Sequence, residues 1–274
     1  MNKPADSVLA AAPAAAVKPA PYSLAGKRGI ILGIANDASI AWGCARAMRG
    51  AGAELALSYL NDKAKPYVEP LAQEIGASIF LPCNVENPGE LEALFEAAAK
   101  RWGGIDFFVH SIAFAPYPEL QGRAIDCSRD GFLRAMDISC HSFLRMAKLA
   151  EPLMTDGGTL IAMSYHGAQK VVPNYQLMGP VKAALEASVR YLAHELGPKG
   201  IRVHAVSPGP LKTRASSGIK SFETLLSSAS ERSPVGELVD IDDVGLTTAY
   251  LCTPFARRVT GSTVYVDGGL NIMG

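Results

Sequence analysis

The apolar positions of this chain gather into short runs separated by longer amphipathic stretches. Gly29 to Ile34, Glu54 to Tyr59, Ser78 to Leu81, Ile105 to Ser111, Thr159 to Met163, Ile201 to Ser207 and Thr263 to Val266 are each four to seven residues long and mostly apolar. Runs of this length without strict polar alternation fit strands covered on both faces. Between and after them lie stretches of helix composition: Ile40 to Gly50, the segment that follows Tyr59 up to Ile75, Pro88 to Trp102, Ser128 to Leu153, Ala183 to Leu196, Phe222 to Ser228 and Asp242 to Cys252. Seven strands joined by helical crossovers predict one α/β domain, a doubly wound parallel sheet with helices on both faces, spanning residues 22–274. Residues 1–21 are mostly alanine and proline and read as a disordered leader rather than a targeting signal, because Pro13 interrupts the one small apolar run and Lys3 alone stands for a basic region.

Composition narrows the partners. Twenty-six basic and twenty-six acidic side chains give a formal net charge of zero, so nothing in the balance favours nucleic acid or an anionic membrane surface. No apolar run approaches the roughly 18 residues of a membrane span. The five cysteines, Cys44, Cys83, Cys127, Cys140 and Cys252, form no C-x-x-C pair, which fits reduced thiols in a cytoplasm and gives no metal-ligand spacing. His110, His166 and His204 are likewise scattered and read as structural.

Two stretches carry candidate chemistry. The first, Gly29 to Gly50, reads as strand, tight turn and helix: Gly33 allows the turn, Gly43 allows close packing of the helix, and Ser39 or Asp37 caps it. The helix N-terminus could hold a pyrophosphate, although an ordinary turn gives the same pattern. The second begins where the fifth strand ends. Tyr165 and Tyr175 stand ten residues apart and Lys182 follows by seven, close to two helical turns, so Tyr175 and Lys182 share a face if one helix spans both. Pro180 lies between them. Either the helix starts near Met178 and leaves Tyr175 outside, or Gly179-Pro180 kinks it. A phenol can donate to a developing oxyanion, and an ammonium beside it can hold a diol.

In this setting the segments GIANDASIAWG (33–43), YLNDK (59–63), HSIAFAP (110–116), SYHGAQKVVPNYQLMGPVK (164–182), RVHAVSPGPLKTRASSGI (202–219) and VDGG (266–269) resemble the short-chain dehydrogenase/reductase superfamily. Within it they look like the enoyl-acyl-carrier-protein reductases of bacterial fatty acid synthesis. The wide Tyr175–Lys182 spacing, the extra Tyr165 and the HSIA segment depart from the ordinary members and match that branch. The resemblance implies a Rossmann-like fold, a homotetramer and hydride transfer from NADH to an enoyl thioester on acyl carrier protein. It assigns Gly33, Ser39 and Ile40 to the pyrophosphate, Asn84 and Val85 to the adenine, and Ser111, Ile112 and Ala113 to the floor under the nicotinamide and its ribose. Leu211 and Thr213 would close over the nicotinamide, and Lys182 would hold the ribose hydroxyls. Tyr175 would hydrogen-bond the thioester carbonyl with Tyr165 as supporting wall, and Ala115, Met178, Phe222 and Leu225 would complete the substrate site.

Two positions depart from the family pattern, Asn84 where an aspartate is usual and Pro180 where a non-proline residue is usual. A ketone or alcohol reductase of the same superfamily is the nearest alternative, with Ser164 close to the spacing of its catalytic serine; a catalytically silent dinucleotide-binding protein is the next. The second strand ends Tyr59-Leu60-Asn61-Asp62, without a leading cation for a 2′-phosphate, so NADH is expected in preference to NADPH despite Lys63. Leu211 to Ser228, with Ser216-Ser217-Gly218 at its centre, has the composition of a hinged lid over the substrate.

Overall fold

The computed structural model describes residues 22–214, 216 and 222–273, so the leader and part of the lid centre, including Ser217 and Gly218, lie outside the described residues. Seven strands form one sheet: β1 (Arg28–Leu32), β2 (Glu54–Tyr59), β3 (Ile79–Pro82), β4 (Phe107–His110), β5 (Gly158–Met163), β6 (Ile201–Pro208) and β7 (Thr263–Val266). All are parallel, in the order β3-β2-β1-β4-β5-β6-β7. The chain moves outward from β1 in one direction and, from β4 onward, in the other, so a crevice opens where the carboxyl ends of β1 and β4 meet.

The strand pleat divides the core as the apolar runs require. Ile30 and Leu32, Phe108, and Leu160 and Ala162 face one layer, while Ile31, Phe107 and Val109, and Ile161 and Met163 face the other. The first layer is closed by α3 (Glu90–Trp102), α6 (Ser142–Ala150) and α7 (Met178–Leu196). The second is closed by α1 (Ile40–Gly50), α2 (Lys65–Glu74) and α9 (Ile241–Cys252). Short α4 (Tyr117–Gln121) and α5 (Arg129–Met136) cover the carboxyl end of the sheet, and α8 (Phe222–Arg232) follows β6.

The single helical region expected over 128–153 is broken in the middle. A π-helical turn, Asp137–His141, joins α5 to α6, and the wider turn frees backbone and side-chain groups that an unbroken α-helix would engage. Ser128 begins the region as a true N-cap, its hydroxyl accepting from Gly131 N–H at 3.0 Å.

Gly43 does what its position in α1 suggested, and its partner is α9. A Cβ on Gly43 would overlap the carbonyl of Ile241, and a Cβ on Gly245 would overlap the carbonyl of Gly43. The two helices therefore cross backbone against backbone. Gly43→Ala should force them apart and cost about 2–4 kcal/mol of unfolding free energy, read as a lower urea midpoint with an unchanged slope.

Candidate active site

The site grows from the carboxyl ends of β1, β4, β5 and β6. At β1, Gly33 takes a φ of 106°, and a Cβ there would collide with the Ser111 carbonyl, so only glycine lets the turn lie against the end of β4. Ser39 has the extended backbone of an N-cap, but its hydroxyl does not cap its own helix. It turns back to accept from the N–H groups of Ala35 and Asn36 at 3.0 and 3.1 Å, and the Asn36 side chain accepts from it in turn at 3.2 Å. The serine therefore tightens the turn, and Asp37 takes no part in capping. Trp42 and Gly43 N–H bond the Ser39 carbonyl, which leaves the N–H groups of Ile40 and Ala41 at the start of α1 for a ligand, with no acidic side chain in that turn to oppose an anion.

At β4, Ser111 N–H still pairs with Leu32 carbonyl at 3.1 Å, and the chain then leaves the sheet through Ile112, Ala113 and Phe114 to the buried Ala115. The π-helical turn holds this exit. Ser139 donates to the Phe114 carbonyl at 2.9 Å and accepts from its N–H at 2.8 Å. Ser142 donates to the Ile138 carbonyl at 2.6 Å, so its oxygen accepts from His110 Nε2 at 2.7 Å. Burial, with Lys182 adding to it, drives the His110 pKa down to about 3, and the neutral ring is a strut. His204 is also wholly buried and held down to about 4, first by burial and then by Arg202, which agrees with a structural role.

At β5, three consecutive residues are each engaged by the segment that leads into α7. Lys182 Nζ, only 3% exposed, donates to the Met163 carbonyl at 2.6 Å. Ser164 donates to Glu186 Oε1 at 2.6 Å, and the Tyr165 ring meets the Tyr175 ring edge to face with centroids 4.8 Å apart. Around the two tyrosines, Ala115, Ala135, Leu177, Met178 and Val181 make a separate apolar cluster. The structure thus brings together Ala115, Tyr165, Tyr175 and Met178 from the expected substrate set. Phe222 and Leu225 are half-buried on α8, outside that cluster.

One helix does not carry both members of the tyrosine–lysine pair. Helix α7 begins at Met178, and Pro180 falls in its first turn, where no intrahelical N–H is required. Tyr175 lies before the helix between two residues with left-handed backbones, Asn174 at φ 65° and Gln176 at φ 45°. Asparagine accepts that region readily, but for glutamine it stores strain of about 1–3 kcal/mol. Hydrogen bonds from Tyr175 N–H to Val172 and from Met178 N–H to the Tyr175 carbonyl, at 3.1 and 3.0 Å, hold the bend. The ring then lies directly on Gly167, where any Cβ would overlap it.

Burial sets the charge states. It raises the Tyr165 phenol to about 12, and raises the Tyr175 phenol further, with smaller contributions from Tyr165 and Glu186. Both are therefore protonated donors at neutral pH, and neither hydroxyl has a protein hydrogen-bond partner among the described residues. Burial lowers Lys182 to about 8, opposed by Cys140 and Glu186. An ammonium carries three protons and Met163 takes one, which leaves two for a diol.

The remaining expected residues lie around this centre. Asn84 and Val85 follow β3; the Asn84 amide oxygen accepts from Glu86 N–H at 3.1 Å and its own N–H is held by Glu90 at 2.7 Å, so its NH2 group is the part left to face a ligand. Leu211 and Thr213 follow β6, where Ser216 ties the loop to itself through the Leu211 carbonyl and Thr213 N–H, both at 2.8 Å. Sequence reading missed Glu186, Gln169, Gly167 and Ser139. Glu186 had a signal, since Val181, Lys182, Leu185, Glu186 and Val189 form one stripe of α7 and two charges fall among core positions. No group of His, Cys, Asp or Glu suited to a metal occurs among the described residues, nor any helix long and apolar enough to cross a membrane.

The profile of the family described as enoyl-(acyl carrier protein) reductase matches residues 33–271. The enoyl-acyl-carrier-protein reductase (NADH) 1 of Rhizobium meliloti is 49% identical over 249 residues, which cover 91% of this chain and 92% of that protein. The crystal structure of the Anaplasma phagocytophilum enoyl-acyl-carrier-protein reductase in complex with NAD superposes with a TM-score of 0.88 at 47% identity, covering 92% of this chain and 96% of that one. The Bacillus cereus enoyl-acyl carrier protein reductase, solved with NADP+ and an indole naphthyridinone, gives 0.89 at 42% identity, covering 92% and 98%. With a family profile spanning residues 33–271 and a relative at close to half identity, this chain belongs to the enoyl-(acyl carrier protein) reductase family of short-chain dehydrogenases/reductases.

Proposed function

We propose that this chain reduces trans-2-enoyl thioesters carried on acyl carrier protein, with NADH as reductant, in fatty acid synthesis. The carrying observation is the protonated Tyr175 phenol, without a hydrogen-bond partner among the described residues, in an apolar cluster at the end of β5, the strand end whose Met163 carbonyl holds the buried Lys182 ammonium. The residues fit a dinucleotide: the tight turn at Gly33, the first turn of α1 without acidic side chains and the two spare protons of Lys182 answer its pyrophosphate and ribose. Bound NADH supplies the hydride taken up by the β carbon of the substrate. Tyr175 donates a hydrogen bond to the thioester oxygen, which becomes an enolate oxygen as the β carbon is reduced. Tyr165 supports that ring, and the surrounding apolar side chains exclude water and strengthen the bond. Lys182 orients the ribose and places positive charge behind the developing anion.

Ser164 argues against the ketone or alcohol reductase reading. Its hydroxyl is buried and its proton is committed to Glu186, so it is not offered to a substrate carbonyl. The exposed Leu60, Asn61, Asp62 and Lys63 after β2 leave no leading cation to pair with a 2′-phosphate, which supports NADH. A homotetramer fits the exposed apolar side chains on α7 and α9, Tyr191 at 72% and Leu246 at 56%.

Tyr175→Phe should leave the NADH dissociation constant near wild type and lower kcat for enoyl reduction, by up to about 10²–10³-fold. Lys182→Met should weaken NADH binding and activity together, and NADH binding unchanged in that variant would refute the role given to the lysine. In the Tyr165→Phe/Tyr175→Phe double variant the loss should exceed the product of the two single losses, because neither phenol can stand in for the other. Gly167→Ala should push the Tyr175 ring off its seat and lower kcat by about 10-fold to 100-fold with little change in cofactor affinity, read by steady-state kinetics beside a fluorescence titration. With an enoyl thioester as substrate, kcat/KM should be higher with NADH than with NADPH; the reverse order would overturn the cofactor assignment.

A further inference from the structure

Helix α7 carries a second buried charge that the reaction above does not use. Glu186 is 3% exposed and follows Lys182 by one turn on the core-facing stripe. Both its oxygens accept: Ser164 Oγ donates to Oε1 at 2.6 Å and Gln169 Nε2 to Oε2 at 3.1 Å. Ser164 is the neighbour of Met163, whose carbonyl takes the Lys182 ammonium. Two oppositely charged side chains of one helix thus grip consecutive residues at the end of β5, immediately before Tyr165. No direct ion pair joins them; each reaches the strand instead. We propose that Glu186 is a positioning residue for Lys182, a buried counter-charge fixed by Ser164 and Gln169 that holds the lysine as an ammonium against the end of β5. The inference rests on Lys182 being the cofactor-holding group.

The other groups around the lysine cannot do this. His110 on β4 faces it as a neutral ring, and Cys140 in the π-helical turn faces it as a thiol whose pKa burial has raised. Cys140 would oppose the loss of the lysine's proton only as a thiolate, a form scarce near neutral pH. Tyr175 is a protonated phenol that faces Tyr165 and Glu186. Around Glu186 itself stand His166, half-buried and with its pKa lowered chiefly by burial, and Tyr265 on β7, a phenol with its pKa raised. Lys170, Asp267 and Arg232 also act on His166, each more strongly than Glu186 does. The carboxylate of Glu186, accepting at both oxygens, is therefore the counter-charge that the lysine's surroundings supply. Burial alone would drive that ammonium toward the neutral amine, which is a poorer donor to a diol and puts no charge beside the enolate.

The test follows the lysine directly. Protein labelled with 13Cε-lysine, free of cofactor, gives the titration midpoint of Lys182, the signal being the one lost in Lys182→Met. In the wild-type protein it should lie near 8. The sign follows from the group: the ammonium exists below this midpoint, so NADH affinity, measured by fluorescence, should fall as pH rises through it. In Glu186→Gln both the NMR midpoint and the alkaline fall in NADH affinity should move toward acid, by about one pH unit. Cys140→Ala should leave the midpoint in place. A Glu186→Gln protein that binds NADH more weakly at every pH with the midpoint unmoved would overturn the proposal, as would a Cys140→Ala shift equal to that of Glu186→Gln. Should the glutamine variant fail to fold, Glu186→Asp decides: the withdrawn carboxylate must move the midpoint toward acid by a smaller amount, and an unmoved midpoint is fatal. Because the NMR readout needs no cofactor, it separates failure of the Glu186 role from failure of the Lys182 assignment, which Lys182→Met tests by NADH binding.

Discussion

A lysine ammonium taken out of water needs a partner, and the centre of this protein is arranged around meeting that need for Lys182. The cost of a bare buried charge, several kcal/mol, exceeds what any one neighbouring contact supplies, so the backbone carbonyl of Met163 and the carboxylate of Glu186 act together. Those contacts fix the register of α7 against the last residues of β5. Tyr165 follows directly on Ser164, so the same grip sets where the first tyrosine stands, and Tyr175 is placed against it. The ligand-facing chemistry is thus an outcome of how one helix is anchored to one strand.

A second anchoring works on the neighbouring strand. The π-helical turn at Asp137–His141 lets Ser139 reach the backbone of Phe114 and Ser142 reach His110. A regular α-helix would rotate these hydroxyls away from the end of β4. The loop from Ser111 to Ala115, which leaves the sheet at the topological switch, is therefore rigid on both sides: Gly33 presses on it from β1 and the serines hold it from the helix.

Stability is given up where the chemistry is. The left-handed backbones of Asn174 and Gln176, the phenols of Tyr165 and Tyr175 without partners among the described residues and the buried side chains of Lys182 and Glu186 all cost folding free energy, and all lie between Tyr165 and Glu186. The two large apolar layers on either face of the sheet offset that cost, each buried Leu, Ile or Phe side chain contributing about 1.5–3 kcal/mol. Such a division, with the rigid layers below and the strain above, places the reactive groups at the carboxyl edge of the sheet, where β-strand ends leave backbone groups and space for a ligand.

The sequence by itself determined the sheet and the edge of it at which the candidate site stands. Period and length in the apolar runs distinguish buried parallel strands from helices, and Gly33 and Gly43 mark a left-handed turn and a close helix crossing because no other residue fits there. The resemblance carried by residues 164–182 named the candidate tyrosines and lysine. What the sequence left open was how they meet. Spacing allowed one helix to carry Tyr175 and Lys182, or a start near Met178; only the folded chain decides, since Pro180 is acceptable in a first turn and the bend at Asn174–Gln176 depends on the ring resting on Gly167. Ser39 turned from cap to turn-tightener for a similar reason, its hydroxyl finding Ala35 and Asn36 nearer than its own helix. Ser139 was out of reach altogether and Glu186 showed only as a charge on the core stripe of α7, because their roles are hydrogen bonds between residues 25 and 22 positions apart, which exist only once strand ends and helix faces are brought together.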